Sequence, residues 1–278
     1  MSVSGWKYYN HAMIPTTAPH EECELPKDIR SLWKNSGRGT PLFARWTTDF
    51  DCGFETNWWY VIKDTPFDIS HLKAKRRYET NKGIRNFNVL LINPAEYTEE
   101  LYRVQVAAFS AYPKKYRPIV DKQKFIDGLT NWAKYQVFGA FFKETNELAG
   151  FALVSEKTDS FLDFTVLKTD PAFEKYAVNA ALVHGILLHN NDFLEGHGIL
   201  CDGARSINHE SNFQDYLEKY FGFRKAYCKL HILYNPKISW AIKLFYPIRK
   251  LLLKLDGIGF VHQINAVLKM EEIIRSQT

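Results

Sequence analysis

Three apolar runs joined by two short polar connections constrain the fold of this chain more than any other feature. The runs cover residues 136–143, 148–155 and 160–168, and the connections at 144–147 and 156–159 have the length of hairpin turns. Strands joined this closely must be antiparallel neighbours, because a parallel pair needs a crossover of about a dozen residues or more. The centre of the chain therefore predicts an antiparallel three-stranded meander.

A cluster of polar residues lies where a later strand is predicted to end. Residues 198–201 form a short apolar run, and Asp202–Arg205 interrupts it. A helix with apolar and aromatic residues at steps of three and four then runs to Gly222, and a last strand covers residues 226–233. In open α/β sheets, ligands bind at the carboxyl ends of strands. The corner is therefore either a functional site or an ordinary turn whose polar side chains cap the helix.

Composition limits the class of protein without giving a function. The chain has 278 residues, enough for one large domain or two small ones, and its hydrophobic content of 46% excludes wholesale disorder. The net charge of +5 is a mild bias, and the four cysteines lack the spacing of a metal site or a disulfide framework. Since the cysteine spacing fits no metal site, we expect no bound metal. Because a signal peptide and a run of about 18 apolar residues are both missing, we expect a cytoplasmic protein.

The first 87 residues are predicted to form an extension that precedes the main domain. Residues 1–40 contain several prolines and glycines and are predicted to be irregular. Residues 42–63 are rich in Phe, Trp, Thr, Tyr and Val, which is typical of strands, with residues 51–53 as the turn between two of them. The aromatic side chains of residues 42–63, Trp59 among them, either bind a flat or acyl ligand or pack against one another.

The most basic segment of the chain is a helix predicted over residues 72–85. A cationic face of this kind attracts phosphate or another polyanion, and arginine adds bidentate geometry. Arg76 and Arg77 are therefore candidate substrate contacts. The alternative is a helix face that is simply solvated.

The last segment, residues 235–278, is predicted to be helical and basic. Apolar residues alternate there with lysines and arginines, which is typical of a helix that lies on an anionic membrane surface. A terminal helix of this composition also docks on its own domain in many proteins. In the first case the protein would be peripheral to the inner face of a membrane.

The order of predicted elements over residues 88–234 resembles the acyl-CoA N-acyltransferase fold, the GNAT superfamily. That order is two helices, the meander, a helix, a strand, a helix and a strand. Residues 216–223 are similar to the tyrosine-containing helix that ends in Gly-Phe in this family. The basic helix and the strand at 88–92 resemble the lead-in to the FemAB-like branch, which contains peptidoglycan-bridge aminoacyltransferases and relatives linked to surface polysaccharide.

The resemblance implies a fold class, α/β (α+β), with a central mixed, mostly antiparallel sheet flanked by helices. The N-terminal extension (1–87) would precede the acyltransferase domain (88–234), and the basic helical tail (235–278) would follow it. Residues 168–178 depart from the family pattern, because they lack the glycines of the pyrophosphate loop found in members that use acetyl-CoA. A loop before a helix still offers free backbone N–H groups to a phosphate, so this segment is either a phosphate site or a plain connection.

The resemblance also implies roles for individual residues. Candidate catalytic residues are the bases or water-orienting groups His209 and Glu210, and the proton donors to the leaving group, Tyr216 and Tyr220. Contacts to an acyl-CoA donor would come from Lys168, Thr169, Ala172, Asn208 and Phe223. Substrate contacts would come from Arg76, Arg77, Arg205 and Trp59.

The resulting hypothesis is an N-acyltransferase, in which an amine attacks a thioester or an ester and receives an acyl or aminoacyl group. Such an enzyme must position both substrates, remove a proton from the amine and stabilise the oxyanion. Its partners would be a small-molecule donor and an amine acceptor, in cell-surface polysaccharide or peptidoglycan metabolism. The alternative is a binding module for a phosphorylated or nucleotide-linked ligand that has kept the fold without catalysis. Nucleic acid would enter only as a tRNA-borne donor, because the sequence has no RNA-binding motif.

Overall fold

The computed structural model describes residues 3–34, 39–114, 117–207, 213–255 and 259–277. The chain forms two compact units, each built from separate stretches of sequence. Unit 1 comprises Met1–Val61, Ala204–Ser211 and Lys225–Thr278, and unit 2 comprises Ile62–Gly203 and Asn212–Arg224. The division into 1–87, 88–234 and 235–278 stays a prediction.

The described residues contain two β-sheets. Their strands, in chain order, are β1 Trp6–Tyr9, β2 Ala12–Pro15, β3 Phe43–Thr48, β4 Trp59–Lys63, β5 Phe87–Leu91, β6 Tyr135–Phe142, β7 Glu147–Thr158, β8 Phe161–Thr169, β9 Ile199–Ala204, β10 Arg224–Tyr227 and β11 Lys229–Tyr234. The smaller sheet has the order β1-β2-β3-β11 and the larger one the order β10-β4-β9-β8-β7-β6-β5. Strands β5 to β8 are antiparallel neighbours, whereas β8 and β9 are parallel, so the predicted mixed sheet is confirmed.

The helices flank these sheets. They are α1 Ala74–Asn86, α2 Thr98–Ser110, α3 Lys122–Leu129, α4 Val178–His189, α5 Asn191–Glu195, α6 Phe213–Phe221, α7 Pro236–Phe245, α8 Arg249–Leu253 and α9 Gly259–Arg275. Short 3₁₀ helices accompany them, of which Pro171–Tyr176 before α4 and Tyr246–Ile248 between α7 and α8 matter below.

The predicted meander, β6 to β8, is the centre of unit 2, and helices cover both of its faces. Leu101 and Val104 of α2 belong to the same buried cluster as Phe151 of β7. The neighbouring residue Gly150 faces the other side, where a Cβ would lie 3.0 Å from Leu182 Cδ1 of α4. Because both faces are covered, β6 and β7 are buried almost continuously rather than at alternate residues.

Helix α1 packs against the start of α4 at Gly83. A Cβ at that position would lie 2.8 Å from Ala177 O and 2.8 Å from Ala181 N, so a larger residue would push the two helices apart. This contact places α1 over the first turn of α4, next to the segment predicted to be either a phosphate site or a plain connection.

Three local predictions are wrong. Residues 1–40 are not irregular throughout, because β1 and β2 form a hairpin whose turn residues, Asn10 and His11, both have positive φ. Residues 51–53 do not connect a hairpin, since β3 and β4 belong to different sheets. The strand expected at 226–233 is two strands of different sheets, β10 and β11, divided by a single residue.

The C-terminal segment is helical, as predicted. Met270 and Ile273 of α9 are buried with Trp58 and Leu230 in a hydrophobic core of unit 1. Helix α9 therefore docks on its own unit, whereas α7 and α8 carry several exposed apolar side chains.

Candidate active site

Asp202 lies near the C-terminal end of β9, one residue beyond the last residue of β9 that pairs with β8. Strands β8 and β9 pair over three residue pairs, of which Asp163 with Cys201 is the last, although both strands continue. Gly203 follows with φ +103°, a conformation that side chains rarely adopt, and a Cβ there would meet nothing within 4 Å. The pairing of β8 with β9 thus stops just before Asp202.

Asp202 is half-buried, and its pKa is strongly raised. Desolvation raises the pKa of this carboxyl to about 7, a hydrogen bond with the Gln214 side chain opposes the rise, and the charge of Asp163 adds to it. Asp163 itself is paired with Lys157 at 3.4 Å. A group with this pKa exchanges a proton near neutral pH, as a general base must.

Helix α6 covers the face of the sheet that carries Asp202. Phe164 and Asp202 share this face, because each directly follows a member of the last parallel pair. Phe213 of α6 packs edge-on against Phe164 with ring centroids 5.9 Å apart, and Gln214 Nε2 lies 3.5 Å from Gly203 O. The start of α6 is thereby held next to the carboxyl group.

Three aromatic rings form a row along α6. The ring centroids of Phe213 and Tyr216 are 6.1 Å apart and those of Tyr216 and Tyr220 are 4.9 Å apart, as expected for steps of three and four on one helix face. Burial raises the pKa of the Tyr216 phenol, and the charges of Glu79 and Tyr220 add to the rise. This phenol therefore stays protonated at physiological pH and can donate a hydrogen bond, but it cannot act as a base.

The structure separates the two arginines of the basic helix, α1. The Arg76 guanidinium lies 5.8 Å from the ring centroid of Tyr220, which brings it to the aromatic row on α6. Arg77 Nη1 instead donates to Ser70 O at 3.3 Å, in the turn that precedes α1. Of the predicted residues in unit 2, Arg76, Tyr216 and Tyr220 therefore lie together.

The predicted donor contacts in and after β8 already have partners within unit 2. Lys168 Nζ lies 3.3 Å from Tyr112 Oη, Thr169 Oγ1 lies 3.1 Å from Asn179 Oδ1, and Ala172 N donates to Asp170 Oδ1 at 3.0 Å. A phosphate at this place would have to displace these contacts. Phe223 is buried, and its amide donates to Leu217 O at 3.4 Å. Asn208, His209 and Glu210 lie outside the described residues.

Arg103 of α2 forms ion pairs with carboxylates at the start of β7 and just after β8. Its Nη1 lies 3.0 Å from Asp170 Oδ2 and 3.1 Å from Glu147 Oε1, and its Nη2 donates to Leu148 O. A cavity of about 430 Å³ lies beside it, lined by Leu90, Tyr97, Glu100, Arg103, Phe141, Asn146, Glu147 and Leu148. The Arg103 guanidinium thus pairs with two carboxylates and a carbonyl of the protein itself.

In unit 1, Trp59 and Arg205 are in direct contact. The Arg205 guanidinium lies 4.3 Å from the Trp59 ring centroid, and Lys225 Nζ lies 4.7 Å from the same point. Arg205 Nη1 donates to Asn57 O at 2.7 Å, whereas its Nε is buried without a hydrogen-bond partner. The described residues offer Arg205 no carboxylate, and burial lowers the pKa of its guanidinium. A ligand anion would supply the missing partner.

Sequence reasoning missed Asp202 and Gln214 in unit 2 and Lys225 in unit 1. The signal for Asp202 was present, since an acidic residue directly follows a buried apolar run at the predicted end of a strand. Among the described residues, no group of three or more His, Cys, Asp and Glu side chains could hold a metal ion. Within the same residues, no helix is both long and apolar enough to cross a bilayer.

No protein-family model matches the chain. No curated protein matches it in sequence. Solved structures do match over most of its length. L-PGS from Bacillus licheniformis is 12% identical with a TM-score of 0.51, over 88% of this chain and 84% of that one.

Two further solved structures are similar. The C-terminal domain of a putative lysylphosphatidylglycerol synthetase from Agrobacterium fabrum is 12% identical, with a TM-score of 0.51 over 86% of this chain and 82% of that one. FemX is 9% identical, with a TM-score of 0.45 over 66% of this chain and 63% of that one. At these identities a likeness establishes fold and not reaction. The predicted fold is confirmed at that level: the chain shares its fold with the Bacillus and Agrobacterium structures.

Proposed function

We propose that this protein is an acyl- or aminoacyltransferase in which Asp202 is the general base. The observation that carries the proposal is a half-buried carboxyl group with a pKa of about 7, at the end of β9 where β8 and β9 have parted. Its place at the carboxyl end of a strand is where ligands bind in sheets of this kind.

In the proposed reaction the amine loses one proton and the leaving group gains one. The amine nitrogen attacks the carbonyl carbon of a thioester or ester, and Asp202 takes the proton that the nitrogen loses. The bond to the thiolate or alkoxide then breaks, and the leaving group receives a proton from Tyr216 or Tyr220. Exchange with water then removes the proton from Asp202 and restores the one on the tyrosine. A positioned base of this kind typically contributes about 10²–10⁴-fold to the rate.

Two donors fit the proposal, an acyl-CoA thioester and an aminoacyl ester. An ester is favoured by the segment after β8, because the Ala172 amide is already bonded to Asp170 and α1 covers the first turn of α4. The similar Agrobacterium domain belongs to a putative lysylphosphatidylglycerol synthetase, which also favours an aminoacyl group. We therefore propose an aminoacyl group as the one transferred.

A second site, within unit 1 alone, is proposed to bind a phosphate through Arg205 and Trp59. The support is the missing anionic partner of Arg205, since a desolvated charge is costly unless it is paired. Arginine suits this role because its guanidinium matches phosphate in two-point geometry. Lys225, near the same ring, adds a second positive charge.

The test is turnover of Asp202→Asn, which is close in shape but cannot accept the proton. Wild-type and variant protein would be assayed with a panel of acyl-CoA and aminoacyl ester donors and amine acceptors. We expect the variant to lose about a hundredfold or more in kcat/KM. The matched control is Asp215→Asn on α6, an exposed aspartate paired with Lys219, which should keep its activity.

Two outcomes would decide against the proposal. Equal turnover of wild type and Asp202→Asn would remove Asp202 from the mechanism. The absence of turnover with every donor, together with a rise in Tm when one donor is added, would assign the chain to the alternative, a binding module.

A further inference from the structure

Helices α7 and α8 of unit 1 carry large apolar side chains that no part of the described chain covers. Trp240 is 70% exposed, Leu244 53%, Ile248 45% and Leu251 60%. These four residues follow one another at steps of four, four and three, which places them on one side of the nearly continuous helix that α7, Tyr246–Ile248 and α8 form.

The opposite side of this helical segment faces the protein. Ile242 of α7 is only 6% exposed. The segment is therefore anchored to unit 1 by one side and presents its most apolar side to the outside. Isolated exposed apolar side chains are ordinary, but a contiguous row on one helix marks an interaction surface.

Charge accompanies this apolar row. Residues 236–255 contain five basic residues and no Asp or Glu. Arg249 is paired with Glu272 at 3.4 Å. The other four, Lys237, Lys243, Lys250 and Lys254, are exposed, and none of them has an ion pair among the described residues.

We propose that this surface, the α7–α8 face, docks on an anionic lipid bilayer. The four lysines would bind lipid phosphates, while Trp240 and the leucines would enter the boundary between headgroups and acyl chains. A tryptophan suits that boundary because its ring is apolar and its N–H is polar. Long lysine side chains keep their ammonium groups at headgroup level while their stems follow the apolar row.

A bilayer fits this face better than a protein partner does. Anionic lipids supply negative charge in every direction around an apolar row, which matches lysines that are spread along the whole segment. An acidic groove on another protein would have to match four separate ammonium positions at once. The proposal does not depend on the reaction at Asp202, so it can fail or hold independently of it.

The experiment is co-sedimentation of the full chain with lipid vesicles. We expect binding to vesicles of phosphatidylcholine mixed with phosphatidylglycerol to be at least about tenfold tighter than to phosphatidylcholine alone, and to weaken as salt is added. Equal binding to both kinds of vesicle, or no sedimentation with either, would overturn the proposal.

Two pairs of variants locate the contact. Leu244→Ser with Leu251→Ser should weaken vesicle binding about tenfold or more. Leu188→Ser, at an α4 leucine of similar exposure, 61%, should leave it unchanged. Lys250→Gln with Lys254→Gln should reduce binding to the anionic vesicles and its dependence on salt. The control Lys124→Gln with Lys134→Gln, which removes two exposed lysines of unit 2, should do neither.

Analytical ultracentrifugation without lipid distinguishes a bilayer from a second copy of the chain. Circular dichroism and Tm of each variant verify that it remains folded. A wild-type protein that ignores vesicles but self-associates, and loses this behaviour in the Leu244 and Leu251 double variant, would show that the face binds another copy, and the membrane proposal would be wrong.

Discussion

Two places in unit 2 use charged groups in opposite ways. Around Asp170, the carboxylates, the Arg103 guanidinium and the Ala172 amide all satisfy one another. At the end of β9, Asp202 is partly removed from water, and its described neighbours include a second aspartate. Burying a charge costs free energy unless the charge is compensated. The paired groups around Asp170 therefore stabilise the fold, whereas an ionised Asp202 destabilises it. Strongly shifted pKa values are found more often at functional sites, which is why Asp202 and not the paired groups around Asp170 is the candidate.

The largest effect that separates the two places is the pH dependence of turnover. A base must be unprotonated to work, so kcat/KM should rise with pH and level off above about 7, the pKa of Asp202. Below that value it should fall about tenfold for each pH unit. The measurement is kcat/KM from pH 5 to 9, and a flat profile through pH 7 would mean that Asp202 is not the base.

The next effect is a gain in stability when Asp202 is neutralised. Between about pH 4 and pH 7 the folded protein keeps a proton that the unfolded chain has released, so the free energy of unfolding falls as pH rises through this window. Asp202→Asn cannot ionise and escapes that loss. The free energy of unfolding of this variant, measured with urea, should equal that of the wild type near pH 4. At pH 8 it should be higher by on the order of 1–4 kcal/mol.

The matched substitution for that measurement is Asp215→Asn. Its carboxylate is exposed and its ion pair with Lys219 is long, 3.6 Å, so the pair contributes little at either pH. A gain for Asp202→Asn that is the same at pH 4 and pH 8 would contradict a raised pKa and would point to better packing.

The smallest effect tests how tightly α1 packs against the start of α4. Gly83→Ala should destabilise the protein by about 1–3 kcal/mol, because its Cβ would overlap Ala177 O and Ala181 N. Gly128→Ala in α3 is the control, since a Cβ there meets nothing within 4 Å and alanine favours the helix by about 0.5–1 kcal/mol. Thermal unfolding of both variants gives the difference. A neutral Gly83→Ala would mean that α1 can move away and leave room for a ligand.

Much of the fold could be predicted because it depends on local pattern. The meander, α2, α6 and the end of α6 at Gly222, which has φ +68°, follow from the periodicity and from the conformational freedom of glycine. Sheet membership does not follow from local pattern. Strands β10 and β11 were predicted as one strand, yet at Cys228 the chain leaves one sheet for the other. The Cys228 amide donates to Trp58 O, which is far away in sequence.

The candidate site was predictable in part for the same reason. Tyr216 and Tyr220 lie four residues apart on a helix, so their shared face follows from the sequence. Arg76 of α1 joins them through one side-chain contact, which only the folded chain creates. The role of Asp202 could not be predicted. Its pKa depends on Gln214 and Asp163, residues of two other elements, and on burial that only the folded chain creates.

Arg103 has a consequence for how the molecule opens. One guanidinium connects α2 with a carboxylate 67 residues away and with a backbone carbonyl 45 residues away. Neither segment can loosen alone without leaving a charge or a carbonyl unmatched, so the beginning of β7 and the end of β8 should open cooperatively. The contacts of Arg103 do not involve β9, so opening at the end of β9 would leave this network intact.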